Sequence, residues 1–298
     1  MGSGSPGSPP LPSCPAGLLT CDSHWNLSIA FRVSVQLVSI EQPRAEVCIP
    51  PPVYDLASPG ITVLDLDLDL LSDEQAKMAP VRVFGTADFV NAARVMACLE
   101  EVGVEYEVVE VDYAAMEHKG AQHLARNPFG QIPAFQDGDT MLFESRAIAK
   151  YVLRKYSKSA QVDLLREGNP EEAAMVDVWT EVEAHTYLPA IAPIFYEYVV
   201  YPAEHGTTPN QEVVDESVER LRKVLDVYEA HLYKTKQLYL AGDYFSLADL
   251  NHVPYTFHLM RTPHASLFEA YPHVKAWWER VIARPSLQKL APDMVIKA

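Results

Sequence analysis

The residues best suited to chemistry lie between Glu117 and Ile148. Asn127–Ile148 reads NPFGQIPAFQDGDTMLFESRAI. The residue types predict a short strand entered through Ile132-Pro133 and a tight turn at Asp137-Gly138-Asp139. A second strand over Thr140–Glu144 then runs into a helix at Ser145. Gly takes the positive φ that hairpin turns need, and Ser between a strand and a helical run is a good N-cap. A backbone edge beside a helix N-terminus can hold a peptide's main chain and one of its carboxylates at once. Upstream, His118 and Lys119 in EHK add positive charge, although such a pair is equally a solvated turn because Lys is usually exposed. Glu144 and Ser145 have bland readings too, as a strand-end charge and a cap. Cys98 sits among Val95, Met96 and Leu99 at helical spacing and reads as a buried structural thiol. No CxxC occurs, which excludes thiol–disulfide exchange of the usual kind, and the ten His residues show no metal-binding spacing.

The elements that must position these residues follow a regular order. Val81–Phe84 is a short apolar strand ending at Gly85, and Asn91–Val102 has helical apolar spacing and stops at Gly103. Tyr106–Val111 alternates as a strand, Glu117–Arg126 is short and polar, and the helix from Ser145 is expected to reach Tyr156. After a linker over residues 157–169, the periodicity is helical over Pro170–Tyr198, Gln211–Lys234, Leu247–Met260 and Tyr271–Ala283. Ser246-Leu247-Ala248-Asp249 is a capping box. Tyr187, Ile191 and Phe195 fall at i, i+4 and i+8, a stripe more often core than pocket.

The chain has 298 residues, 48% hydrophobic, and a net charge of −16, which argues against nucleic acid and anionic membrane surfaces as partners. No apolar run approaches the length of a membrane span. Three of the four cysteines (Cys14, Cys21, Cys48) lie in the first fifty residues, so the rest of the chain has no disulfide framework and fits a reducing compartment, the cytoplasm. Residues 1–60 contain ten prolines. Residues 1–77 are therefore expected to form a Pro-rich, disordered leader without a catalytic role, although Ile29–Leu37 and Leu64–Leu70 alternate like strands. A signal peptide would need a basic start, and a transit peptide would be Arg-rich, whereas the leader has two Arg against nine acidic residues.

From Val81 to the C-terminus the chain resembles the plant phi-class glutathione transferases. The resemblance rests on LEEVG, EHK, RNPFGQIPAFQDGD, LFESRAI, LLREGNPEEAAMVDVW, YLAGDYFSLADLNHV and YPHVKAWWERVIARPS. It implies an α/β thioredoxin-like N-terminal domain (residues 78–156), with Pro133 as its cis proline, followed by an all-α C-terminal domain (residues 170–298). Glutathione is then the co-substrate and no cofactor is bound. By resemblance, His118 and Lys119 meet its glycine carboxylate, the Ile132 backbone pairs with its cysteinyl residue, and Gln131 donates from its side chain. Glu144 takes the ammonium, Ser145 takes the α-carboxylate, and Arg146 is either a salt-bridge partner or a contact. The resemblance also implies a homodimer, with Phe129 a candidate anchor, and an apolar electrophile facing Tyr187, Ile191 and Phe195.

One position departs from the family. Phi enzymes carry Ser four residues after the glycine that ends the first strand, and its hydroxyl donates to the glutathione sulfur. In Gly85-Thr86-Ala87-Asp88-Phe89-Val90-Asn91 that position holds Phe89, which has no donor. A free thiol, with a pKa near 8.5, is mostly protonated at neutral pH, and a donor aimed at sulfur favours the thiolate. Asn91, Thr86 and the helix N-terminus are the available substitutes, whereas Asp88 has the wrong sign. A weakened transferase is expected. The rival reading is a non-catalytic protein that holds glutathione or apolar ligands, and a purely structural module is a weaker third.

Overall fold

Val81–Phe84 (β1) is an inner strand of a four-stranded sheet in the order β2-β1-β3-β4. It runs parallel to Tyr106–Val109 (β2), with Val81 opposite Tyr106, and antiparallel to Ala134–Asp137 (β3), with Phe84 opposite Ala134. Thr140–Phe143 (β4) closes the expected hairpin through Asp137 and Gly138. The structure, a computed structural model, is described for residues 80–296. The leader over residues 1–77, with its two strand-like runs, lies outside the described residues.

Two helices cover the sheet. Val90–Val102 (α1) is buried along almost its whole length and packs on α3, Ser145–Ala160, which runs past the expected Tyr156. The polar segment between β2 and β3 is a single 3₁₀ turn, Glu117–Lys119, and a one-turn helix, Ala121–Leu124 (α2). Gly85, with φ of 127°, follows β1 where an added Cβ would overlap the Ile132 side chain. The strand end and the Ile132-Pro133 loop can close on one another because this residue has no side chain. The order of strands and helices is the thioredoxin-like one.

The rest is helical. Pro170–Val182 (α4) is capped by Asn169, whose side chain accepts from the Glu171 and Glu172 amides at 3.1 and 3.3 Å. It continues without a break through Leu188–Phe195 (α5) and Tyr201–His205 (α6) by way of two π turns, Glu183–Tyr187 and Tyr196–Val200. Pro189 and Pro202 each follow a π turn closely. A proline has no amide to give the preceding turn, and a widened turn absorbs that loss without breaking the helix. Gln211–Thr235 (α7), Leu247–Leu259 (α8), Pro272–Ile282 (α9) and Pro285–Leu290 (α10) complete the bundle. The capping box forms as expected: the Ser246 amide and hydroxyl both donate to Asp249 Oδ2 at 2.9 Å. The other carboxylate oxygen accepts from Trp277 Nε1 at 2.8 Å and from the Leu240 amide at 3.1 Å, which ties α8 to the bundle core. Among the described residues no helix is long and apolar enough to cross a membrane.

Candidate functional site

The loop before the cis Ile132-Pro133 bond is fixed by its own polar groups. Asn127 Oδ1 accepts from the Phe129 amide at 3.0 Å, and its Nδ2 donates to the Gln131 carbonyl at 2.9 Å, which His123 Nε2 also approaches at 2.9 Å. That network leaves Ile132 beside the sheet with its backbone N–H and C=O unbonded among the described residues. An extended peptide can pair with such an edge.

The start of α3 differs from expectation. Glu144, not Ser145, is the N-cap residue, and its φ of 69° lies in a region that side-chain-bearing residues seldom adopt. Strain of this kind is kept where surrounding structure enforces it, typically at binding sites. It leaves Glu144 exposed and turns Ser145 inward. Ser145 Oγ accepts from Arg94 Nη1 at 2.7 Å.

Arg94 is the residue that sequence reasoning missed. It lies on α1, fully buried, and Nη1 also donates to Asn91 Oδ1 at 2.6 Å. Nη2 lies 3.6 Å from Glu183 Oε1, in the first π turn. Glu183 is in turn gripped by Arg146 at 2.8 and 2.6 Å, so Arg146 is a salt-bridge partner. Burial pulls the Arg94 guanidinium down to about 10 against the opposing pull of Glu183, so it stays charged at neutral pH. An arginine inside apolar helical spacing looks like an interruption, and nothing local marks it as a hub.

The hub orients Asn91. Arginine only donates, so the Asn91 atom facing it is the amide oxygen. The amide nitrogen is thereby left to the other side, and Asn91 stands on the wall of a cavity of about 240 Å³. Phe89, the N-cap residue of α1, lines the same cavity and makes no side-chain capping bond. Its ring lies 5.6 Å from that of Tyr113. Gln131, Ile132 and Phe195 are also on the wall. Thr86 is not among its lining residues and so gives no donor there.

The basic pair is divided. His118 is buried and stacked on Tyr113 at 4.3 Å. Burial first, then the neighbouring Lys119 and His123, push its imidazole pKa down, so it is neutral at pH 7 and the positive charge of EHK rests on Lys119 alone. The Lys119 ammonium donates to the Gly130 carbonyl at 2.7 Å and the Phe129 carbonyl at 3.2 Å, next to Gln131.

The expected electrophile stripe needs correction. Phe195 reaches the cavity, but Tyr187 and Ile191 are wholly buried and belong to the core. Tyr187 shares a 2.7 Å hydrogen bond with Thr256 and stacks on Tyr228. The two π turns change the helical register, so the helical wall is made instead by Phe195, Tyr196, Val200, Ala203 and Glu204. Among the described residues no group of three or more His, Cys, Asp or Glu is placed to hold a metal ion.

Residues 79–154 match the glutathione S-transferase N-terminal domain, and residues 191–285 match the C-terminal domain of the same proteins. A probable glutathione S-transferase of the rice Oryza sativa subsp. japonica is 67% identical over 217 residues, 73% of this chain and 98% of the relative. The chain belongs to the glutathione S-transferase family. It is of the plant phi class, an enzyme with glutathione as co-substrate. A wheat (Triticum aestivum) glutathione S-transferase 1 is 57% identical over 73% of this chain and 96% of its own length. Two solved structures share the fold at TM-scores of 0.68 and 55% identity, each covered completely. One is glutathione S-transferase I bound with lactoylglutathione, over 72% of this chain. The other is glutathione S-transferase I from maize in complex with an atrazine glutathione conjugate, over 74%. The transferase half-and-half architecture, thioredoxin-like then helical, is the one expected from its sequence.

Proposed function

We propose that this transferase joins the sulfur of glutathione to electrophilic, mostly apolar compounds in the Phe89–Asn91 cavity, and does so as a cytoplasmic homodimer. The observation that carries the reading is the orientation of Asn91. With its oxygen held by Arg94 at 2.6 Å and the residue on the cavity wall at the N-terminus of α1, its amide nitrogen is the donor this reading sets against the sulfur. A neutral amide donor and the helix dipole both favour a thiolate there, which compensates in part for the hydroxyl that Phe89 lacks.

The rest of the peptide falls along the elements already described. Lys119 takes the glycine carboxylate, with neutral His118 beside it. Ile132, after cis Pro133 has turned the chain, pairs its backbone with the cysteinyl residue, and Gln131 donates from the side. Glu144 takes the ammonium, and Ser145 with the first amides of α3 takes the α-carboxylate. The electrophile rests on Phe89, Ile132, Phe195 and Val200, a mostly apolar wall. Phe129 supports the dimer: its side chain is 67% exposed, a costly placement for an apolar ring unless a partner covers it. The free, fully buried Cys98 suits a reducing compartment.

Immobilised glutathione tests the assignment. The protein should be retained and released by free glutathione, and Glu144→Ala combined with Ser145→Ala should abolish retention. Unchanged retention by the double variant would place glutathione elsewhere. Phe89 favours one other reading, a glutathione-binding protein without turnover. Binding with no conjugation of any electrophile would support it.

A further inference from the structure

Where α8 meets the Arg94 hub, one polar residue is unlike its neighbours. Asp249 has both carboxylate oxygens paired. His252 meets the Tyr228 hydroxyl at 2.9 Å and donates to the Ala248 carbonyl at 2.7 Å, and Thr256 Oγ1 donates to the His252 carbonyl at 2.7 Å. Asn251 differs from all three. Its side chain is fully buried, yet neither Oδ1 nor Nδ2 has a hydrogen-bond partner among the described residues. Its own backbone fixes where it stands: the Asn251 carbonyl lies 3.5 Å from Arg94 Nη2. Arg94 carries the counterpart. Nη1 serves Asn91 and Ser145 and Nη2 faces Glu183, but Nε is buried and has no partner among the described residues. Thr180 of α4, three residues before Glu183, has a buried hydroxyl in the same condition, and α1 and α4 both pack on α8.

A buried N–H without an acceptor is costly, and an apolar side chain would fill the Asn251 position without that cost. Polar atoms of this kind gathered in one place are what buried water satisfies, since each such molecule makes about three hydrogen bonds. Nε can only donate and the Asn251 amide oxygen can only accept, so a water that accepts from the first and donates to the second completes both. Resting on the glutathione site proposed above, we infer that buried water links Arg94 Nε to the Asn251 carboxamide, and that Asn251 is a positioning residue for glutathione.

The link has a use at the site. A guanidinium is planar and rigid, so holding Nε as well as Nη1 and Nη2 fixes its plane. That plane sets the direction of Nη1, which holds the Asn91 amide oxygen at 2.6 Å and the Ser145 hydroxyl at 2.7 Å. Asn91 stands on the cavity wall, and Ser145 begins α3. Asn251 itself is not among the residues that line the cavity. It acts through Arg94 alone, so a helix of the C-terminal half sets the geometry of groups that belong to the N-terminal half.

The test is Asn251→Leu in the full chain, alone and combined with Arg94→Met. Leu nearly keeps the volume and removes the carboxamide. The KM for glutathione should rise about threefold, with the KM for the electrophile unchanged. The bound thiol should titrate about half a unit higher, which is the same factor. In the Arg94→Met background the substitution should raise the KM no further, because contacts that act through one shared group are not additive. A crystal structure of the unmodified protein should show ordered water within hydrogen-bond distance of both Arg94 Nε and the Asn251 side chain, a result that does not depend on how any variant folds. The inference is overturned by the lack of ordered water there, by an unaltered KM in Asn251→Leu, or by a rise in the double variant that is the product of the two single effects. An Arg94→Met protein with an unaltered KM for glutathione overturns the site reading instead.

Discussion

Phe89→Ser should raise the rate of conjugation of a general aromatic electrophile about tenfold to a hundredfold. Position 89 is the N-cap of α1 and faces the cavity, so a Ser hydroxyl there would donate to a sulfur lying against the helix N-terminus. A hydrogen bond to a charged group contributes roughly 1.5–3 kcal/mol, and about 1.4 kcal/mol of barrier is tenfold in rate. The substitution also has a structural side. The Phe89 side chain makes no capping bond, whereas Ser is a favoured N-cap residue, worth about 1 kcal/mol. Against this, the Tyr113 ring loses its contact at 5.6 Å. Initial rates at saturating glutathione measure the effect. A rate that stays the same, in a variant that still binds glutathione, would show that the sulfur does not lie against position 89.

Arg94→Met should be the most damaging single change on α1. The guanidinium is fully buried and bonds Asn91 at 2.6 Å and Ser145 at 2.7 Å. Removing one member of a buried charged network costs about 3–5 kcal/mol, although Glu183 keeps Arg146 at 2.6 Å, which puts the loss near the lower figure. At roughly 2–4 °C per kcal/mol for a chain of this size, the melting temperature should fall by about 6–12 °C. Two site groups lose their anchor together, so the KM for glutathione should rise about tenfold, a factor that corresponds to about 1.4 kcal/mol. Thermal unfolding and glutathione titration of rates read the two effects separately. A stable variant with unaltered KM would reduce Arg94 to a filler of space.

The hairpin, the capping box and the helix from Ser145 were legible in the sequence, because each is set by neighbours in the chain, whereas the cis Pro133 was implied only by the family resemblance. Asp137-Gly138 can turn one way with little cost, and Ser246 finds Asp249 three residues on. The Arg94 network was not legible. Its partners Ser145 and Glu183 come from α3 and a π turn, far along the chain. Nor was the cavity wall. Tyr187 and Ile191 keep perfect helical spacing with Phe195, yet the π turns rotate the wall onto Tyr196, Val200 and Ala203. The N-cap slipped by one residue because Glu144 adopts a φ of 69° that its type gives no reason to expect. The burial of His118, which lowers its imidazole pKa, was hidden for a similar reason: its stacking on Tyr113 depends on a loop folding back.

The central claim is that Asn91, oriented by Arg94, holds the glutathione sulfur as a thiolate. The thiolate absorbance of bound glutathione, followed against pH in the unmodified protein and in Asn91→Ala, tests it most directly. The bound thiol should titrate below the free value of about 8.5, and Asn91→Ala should raise it by about one unit while glutathione stays bound. A thiol that titrates identically in the two proteins would contradict the account.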